Sequence, residues 1–191
     1  MMKNTLKLVA MVALTATAIA TTAQNKKALA ATGITADYTV AETTKSQKKS
    51  PAMEATRKIG DKSVTVKYSA PSVKERIIWG ELVPFDQVWR TGANNATTIT
   101  FSATTMVEGK EIAAGTYALF TIPGKKTWKV ILNTEAKQWG AYDYDAKKDV
   151  LNVQVTPIMV DQSMEQMNFS FNDENSLVFA WEKLRFNLKM K

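Results

Sequence analysis

The chain has 191 residues, contains neither histidine nor cysteine, and carries a formal net charge of +7. These absences exclude a Ser-His-Asp triad, a Cys-His pair, the usual His or Cys zinc sites and any disulfide bond. The composition therefore argues against an enzyme of the common hydrolytic classes, and it indicates no cofactor.

The first 23 residues show the three parts of a secretory signal peptide. Lys3 and Lys7 form a basic start, Leu8 to Ala20 is an apolar stretch of 13 residues, and small residues follow. A membrane-spanning helix needs roughly 20 apolar residues, and no later segment reaches that length. We predict cleavage after Ala23 or after Ala20 and a mature chain, periplasmic or extracellular, without a transmembrane segment; an uncleaved anchor is the alternative.

Residues 24–49 are rich in Thr, Ala and Lys and have no sustained hydrophobic period. We interpret them as a flexible linker, with a weak strand around residues 36–41 as the alternative. Residues 51–191 carry 18 basic and 16 acidic side chains, so most of the excess charge precedes them. Because nucleic-acid binding needs cations clustered on one face, these interspersed charges argue against it.

Residues 50–191 alternate apolar and polar side chains in short runs that turn residues separate. The clearest runs are Val64–Tyr68, Thr97–Phe101, Trp128–Leu132, Leu151–Val155, Met167–Phe171 and Leu177–Met190, the last interrupted by a possible hairpin at Glu182-Lys183. This pattern predicts a single all-β domain, an antiparallel β-sandwich or a jelly-roll-like barrel. Residues 72–90 and 135–148 alternate poorly and are expected to hold loops with short helical turns.

Residues 76–97 combine arginine, tryptophan and asparagine close to glycines. Arg76 and Arg90 are suited to hold a carboxylate or phosphate through paired N–H groups. Trp89 offers a flat ring for stacking, and Asn94 and Asn95 offer amide hydrogen bonds. We predict these five as ligand-binding residues. In the alternative interpretation Trp79 and Trp89 close one end of the sandwich, and the asparagines hold a turn. Arg90 then packs on an aromatic face or pairs with Glu81 or Asp86.

Residues 138–144 form a second unusual segment, in which three aromatic residues stand close together. Trp139, Tyr142 and Tyr144 resemble a carbohydrate-contacting platform, because flat rings with polar tips suit the faces of sugars. We predict them as ligand-binding residues as well. The alternative is that Trp139 covers the edge of the core.

Two carboxylates can hydrolyse glycosides without histidine if they stand about 5–10 Å apart. Candidates are Glu75, Glu81, Asp86, Asp143 and Asp145. Nothing in the sequence shows two of them facing each other at that separation, and we predict no catalytic residue. The acidic residues from 143 to 149 lack the spacing of a calcium loop, so they indicate a solvated loop and no metal site.

Several short strings resemble the bacterial family called domain of unknown function 2911. They are Tyr68-Ser69-x-Pro71, Arg76-x-Ile78-x-Gly80, Leu82-Val83-Pro84, Val88-Trp89-Arg90-Thr91-Gly92-Ala93-Asn94, Ala114-Gly115-Thr116-Tyr117 and Gln138-Trp139-Gly140. The chain departs from the family at Ala70, where a larger or charged residue is expected. The resemblance implies a secreted or periplasmic β-rich domain, but no activity and no catalytic residues.

The leading hypothesis is an exported, noncatalytic binding module for a small polar ligand, either a glycan fragment or an acidic metabolite. It rests on the aromatic, arginine and amide content of the two loops. The alternatives are a carboxylate-dependent hydrolase acting on glycans and a structural or protein-interaction domain. No protein partner is indicated.

Overall fold

A computed structural model describes residues 38–42 and 49–191, and it confirms the all-β prediction. The strands are β1 (Tyr38–Glu42), β2 (Ala52–Ile59), β3 (Lys62–Ser69), β4 (Thr97–Phe101), β5 (Thr105–Val107), β6 (Lys110–Ile112), β7 (Gly115–Ile122), β8 (Trp128–Asn133), β9 (Asp149–Val155), β10 (Ile158–Phe171) and β11 (Leu177–Leu188). All pairings between them are antiparallel.

Seven strands form the main sheet, in the order β1-β2-β3-β4-β7-β8-β9. The β10–β11 hairpin covers one face of it, and the short β5–β6 hairpin joins the end of the chain through backbone hydrogen bonds between Met106 and Lys191. None of these sheets closes into a barrel, so of the two predicted architectures the sandwich is the appropriate one.

The main core lies between the sheet and the β10–β11 hairpin, and we call this side of the sheet the inner face. Alternate residues of the central strands, such as Val66 and Ile99, meet the aromatic side chains Phe169, Phe179 and Phe186 of the hairpin there. Alternation with period two sends the intervening side chains to the outer face. A smaller apolar cluster, made of Ala96, Ala118, Phe120 and Ile131, lies apart from the main core.

Turn residues explain three of the connections between strands. Glu108 and Gly109 connect β5 to β6 with φ values of 47° and 78°, the left-handed pair that a tight hairpin requires. Pro123 and Gly124 separate β7 from β8, and residues 172–175 connect β10 to β11. A short 3₁₀ turn, Ala146–Lys148, lies in the loop where helical turns were expected.

The hairpin predicted at Glu182-Lys183 is wrong, because β11 continues through both residues. Glu182 has a φ of 50°, and the register with β10 shifts on either side of its partner Met164. This is a bulge, in which an irregular residue bends the strand without ending it. The Arg185 guanidinium stabilises the irregular region by donating to the carbonyls of Gln162, Glu182 and Leu184.

The predicted linker contains one described strand, because β1 pairs with β2 from Tyr38↔Arg57 to Glu42↔Met53. This is the place where the sequence offered a strand as the alternative. The predicted signal peptide and most of the predicted linker lie outside the described residues. The part of the chain that the structure describes contains no helix of the length and apolarity that crossing a bilayer requires.

Candidate functional site

Four tryptophans meet near one end of the inner face. The Trp79 ring packs edge-on against Trp128 and Trp181, with centroid distances of 4.9 Å and 5.7 Å. Trp89 stacks on Trp181 at 5.8 Å with an interplanar angle of 19°. Trp128 and Trp181 are 1% exposed, whereas Trp79 and Trp89 are half-buried at the margin of the core. The alternative interpretation of the sequence, in which tryptophans close the end of the sandwich, describes these contacts.

Trp89 is held in place by its backbone. Its N–H donates to the Thr121 carbonyl at 2.8 Å, and the Thr121 N–H donates back to the Trp89 carbonyl at 2.9 Å. The first residue of β4, Thr97, pairs with Leu119 of β7, and Trp89 pairs with Thr121, two residues further along β7. Trp89 therefore lies beside the part of β7 that β4 does not reach. The ring is thereby fixed against the inner aromatic cluster.

The turn after Trp89 has a strained backbone. Thr91 and Asn94 have φ values of 51° and 59°, and a β-branched residue rarely adopts the left-handed region. Thr91 is fully buried, its hydroxyl donates to Thr121 Oγ1 at 3.1 Å, and its carbonyl accepts from the Thr97 hydroxyl at 2.8 Å. These hydrogen bonds hold a conformation that costs about 1–3 kcal/mol, a kind of strain that clusters at functional sites.

Arg90 has no carboxylate partner among the described residues. Its Nε is buried and makes no hydrogen bond, and the two ion pairs of the described chain join Lys67 to Glu54 and Lys148 to Glu135. Burial lowers the pKa of the Arg90 guanidinium, because desolvation penalises the charged form, and Tyr142 opposes this effect. Of the two alternatives for Arg90, the ion pair with Glu81 or Asp86 is absent from the described residues.

Arg76 is organised by a tight turn. Lys74 and Glu75 have φ values of 48° and 58°, and the Arg76 N–H donates back to the Val73 carbonyl at 3.1 Å. The Arg76 side chain folds over this turn, with Nε donating to the Val73 carbonyl and Nη2 to that of Ser72. The guanidinium is thus fixed in the turn and solvent-exposed.

Arg76, Trp89 and Arg90 line one pocket of about 300 Å³, which we call the Trp–Arg pocket. The structure adds three functional candidates that the sequence analysis did not name, namely Lys49, Lys74 and Trp181. Lysines are too common to stand out in a sequence, and Trp181 belongs to an ordinary alternating strand. The described lining carries four basic residues and no acidic one, although Glu165 accepts from the nearby Lys74 N–H at 3.0 Å.

Asn95 and Trp139 lie elsewhere, beside an open groove of about 550 Å³ that we call the Trp139 groove. Their backbones pair in an isolated antiparallel bridge, with the Ala96 N–H donating to the Gln138 carbonyl at 3.1 Å. Lys67 and Gln138 also line this groove. The two pockets share no lining residue, so the predicted single site is divided in two.

The remaining predicted residues line neither pocket. Asn94 is half-buried and accepts the Gly140 N–H through its backbone carbonyl. Tyr142 is 83% exposed. The Tyr144 hydroxyl donates to Asp149 Oδ2 at 2.8 Å, and its ring packs against Phe120. Burial, followed by the Asp149 carboxylate, raises the pKa of Tyr144, because both disfavour the phenolate. Both the hydroxyl and the ring of Tyr144 thus contact the protein itself.

The acidic residues show no catalytic arrangement in the described chain. The carboxylates considered for glycoside hydrolysis are all exposed, and none lines either pocket: Glu75, Glu81, Asp86, Asp143 and Asp145. Asp145 and Asp149 instead accept hydrogen bonds, from the Lys147 backbone and from the Asn133 amide respectively. No group of three or more acidic side chains among the described residues is placed to hold a metal ion.

The fold and its two pockets define a two-layer antiparallel β protein with a cationic, tryptophan-lined pocket at one end. The chain belongs to the family described as protein of unknown function (DUF2911), whose model matches residues 50–190. This confirms the resemblance seen in the sequence. Comparisons with curated proteins and with solved structures found no match.

Proposed function

We propose that this chain is an exported, noncatalytic binding protein that holds a small acidic metabolite in the Trp–Arg pocket. The observation that carries the proposal is the lining of that pocket, in which Lys49, Lys74, Arg76 and Arg90 surround about 300 Å³ without an acidic residue. Four cations around one small concavity attract a carboxylate or a phosphate, and low-dielectric walls strengthen that attraction.

The arginines supply the donors that such a ligand needs. Arg76 uses Nε and Nη2 to hold its own turn. Its Nη1 has no hydrogen-bond acceptor among the described residues, and its orientation is already fixed. A guanidinium fixed in advance loses less side-chain entropy on binding. Arg90 has no ion-pair partner in the described chain, so an anion would supply the opposite charge that the protein itself does not.

The size and the walls of the pocket support a small, partly apolar ligand. A volume of about 300 Å³ lies at the lower end of the range for small-molecule sites, roughly 300–1,000 Å³. Trp89 and Trp181 provide apolar lining. The strained turn at Thr91 lies between Arg90 and Gly92, which both line the pocket. Of the two ligand classes predicted from the sequence, the acidic metabolite suits this pocket better than a neutral glycan, because its lining is dominated by cations.

The test is thermal unfolding of the purified protein with citrate, succinate or inorganic phosphate, with sodium chloride holding the ionic strength constant. A ligand at about 100 times its Kd adds about 2.7 kcal/mol of stability and raises Tm by several degrees. Arg76→Gln and Arg90→Gln are expected to weaken binding at least tenfold. Arg57→Gln is the matched control, because Arg57 lies on β2 and lines neither pocket.

Ligand-free melting curves show whether each variant is folded. A rise in Tm that both pocket variants lose and Arg57→Gln keeps supports the proposal. No rise with any of the three anions, or an equal rise in all variants, contradicts it.

Export rests on the signal-like residues 1–23 and is tested separately by mass spectrometry of the chain recovered outside the cytoplasm. A mature N-terminus at Gln24 or Thr21 supports export, and an uncleaved chain retained inside contradicts it.

A further inference from the structure

We propose that the Trp139 groove is a second binding site, which takes an oligosaccharide on the outer face of the main sheet. This site is separate from the Trp–Arg pocket, since no residue lines both. The proposal goes beyond the acidic-metabolite site and does not depend on it. It stands on three observations: an exposed ring, an unpaired buried acceptor, and a fixed backbone.

The exposed ring is that of Trp139. It is 59% exposed at the edge of a groove of about 550 Å³. An indole has a large flat apolar face, and the C–H face of a pyranose ring is the complementary surface among common polar ligands. The open shape of the groove suits a chain of sugar rings that lies along the surface.

The unpaired acceptor is Gln138 Oε1. Gln138 is 7% exposed and lines the groove, and its Nε2 donates to the Glu135 carbonyl at 2.7 Å. A carbonyl only accepts, so this contact determines which end of the amide is nitrogen. Oε1 is then buried without a hydrogen-bond partner. An unsatisfied buried acceptor is unfavourable, and the hydroxyl of a sugar is a donor that would satisfy it.

The backbone around these side chains is fixed before any ligand binds. Hydrogen bonds from the Ala96 N–H to the Gln138 carbonyl and from the Gly140 N–H to the Asn94 carbonyl, both 3.1 Å, join the loop to the residues before β4. Gly140 has a φ of 65° and lies against the Tyr142 ring. The positions of Trp139 and the Gln138 amide relative to each other are therefore determined by the fold.

The other polar groups of the groove fit a saccharide better than an extended peptide. Asn95 is an exposed amide that both donates and accepts, and Lys67, although paired with Glu54 at 3.4 Å, adds a further donor. The strands beneath the groove, β2, β3 and β4, are each paired on both sides. None of them has an unpaired edge to which an extended peptide could add as a further strand.

The experiment is calorimetric titration of the purified protein with cellohexaose, chitohexaose and maltohexaose, repeated with an extended hexapeptide. We expect saturable binding of at least one oligosaccharide. Trp139→Ala should weaken it at least tenfold, since a central aromatic anchor carries much of the binding at such sites. Gln138→Met keeps the approximate shape and removes both the Oε1 acceptor and the Nε2 donor to Glu135, and it should weaken binding roughly three- to tenfold.

Ile158→Ala is the matched control, because Ile158 is an apolar side chain of comparable exposure, 56%, and does not line the groove. It should bind as the unaltered protein does, and so should the Arg76→Gln/Arg90→Gln double variant. The proposal is overturned if no oligosaccharide binds at millimolar concentration, if only the hexapeptide binds, or if Trp139→Ala binds normally. Loss of anion binding in the double variant with oligosaccharide binding intact separates the two sites.

Discussion

Trp89 and Trp139 stand in segments that look alike in the sequence, each a loop tryptophan among polar residues with a glycine close behind. Both are also held by backbone pairing, Trp89 with Thr121 and Trp139 with Asn95. Yet the Trp89 ring stacks on Trp181 in the inner layer, whereas Trp139 is 59% exposed. The difference shows that the face of the sheet, rather than the residue type, decides whether an aromatic loop residue packs against the core or leaves its ring exposed.

The inner and outer aromatic groups should consequently differ in what they contribute. Burial of an aromatic side chain among other rings stabilises the fold by its apolar area and by ring–ring contacts worth about 0.5–1.5 kcal/mol per pair. A ring that stays exposed contributes little to folding and keeps its surface for binding. Three substitutions test this division between buried and exposed rings. The expected loss of stability decreases from Trp181→Ala through Tyr144→Phe to Trp139→Ala.

The largest effect is expected for Trp181→Ala. Trp181 is 1% exposed and touches both Trp79 and Trp89, so its removal leaves a large cavity under the Trp–Arg pocket. Losses of about 3–5 kcal/mol accompany such truncations. Unfolding in guanidinium chloride measures the change, with Trp139→Ala as the exposed control. A loss below about 1 kcal/mol would show that the inner cluster is loosely packed and would contradict the division between inner and outer aromatic residues.

An intermediate effect is expected for Tyr144→Phe, which removes only the hydroxyl that donates to Asp149. A loss of about 1 kcal/mol at neutral pH follows from that hydrogen bond. The pKa of Tyr144 is raised above its ordinary 10.0, so above pH 10 the unfolded chain releases this proton first. Stability then falls with pH in the unaltered protein.

The difference in unfolding free energy between the two proteins should accordingly narrow as the pH rises above about 10, because the variant lacks this titration. Urea unfolding at several pH values measures it, and the other tyrosines cancel in the difference. A constant gap across that range would mean that Tyr144 ionises equally in both states. The outer loop thus contains one aromatic side chain that contacts the protein itself, Tyr144, next to the exposed Trp139 and Tyr142.

Much of the fold could be predicted from the sequence, because the apolar side chains of runs such as 64–68 and 97–101 alternate strictly and bury one face. The bulge at Glu182 could not, since a two-residue polar interruption looks the same whether the chain turns back or merely bends. What distinguishes the two is the guanidinium of Arg185, which reaches the Gln162 carbonyl on the neighbouring strand. Such a long-range contact leaves no local pattern.

The candidate sites were predictable only in part. Arg76, Trp89 and Arg90 stand out by residue type, and the structure brings them to one pocket. Lys49 and Lys74 were found in the lining of this pocket only from the structure, because no local signal marks a lysine as part of a site. Trp139 and Asn95 were also recognised, but their separation from Trp89 depends on which face of the sheet each loop covers, and this requires the strand order.

The smallest effect on stability is expected for Trp139→Ala. Its ring is mostly exposed, and its pairing with Asn95 uses backbone atoms that the substitution retains. Surface changes of this kind usually alter the unfolding free energy by no more than about 0.5 kcal/mol. Guanidinium unfolding beside the Trp181→Ala protein measures it. A loss above about 2 kcal/mol would mean that Trp139 stabilises the fold as the core tryptophans do. Weakened oligosaccharide binding in this variant would then no longer show that the ring contacts the sugar. If Trp139→Ala leaves the unfolding free energy nearly unchanged and abolishes oligosaccharide binding, the ring contacts the ligand. A tryptophan that served only the fold would not give this combination of results.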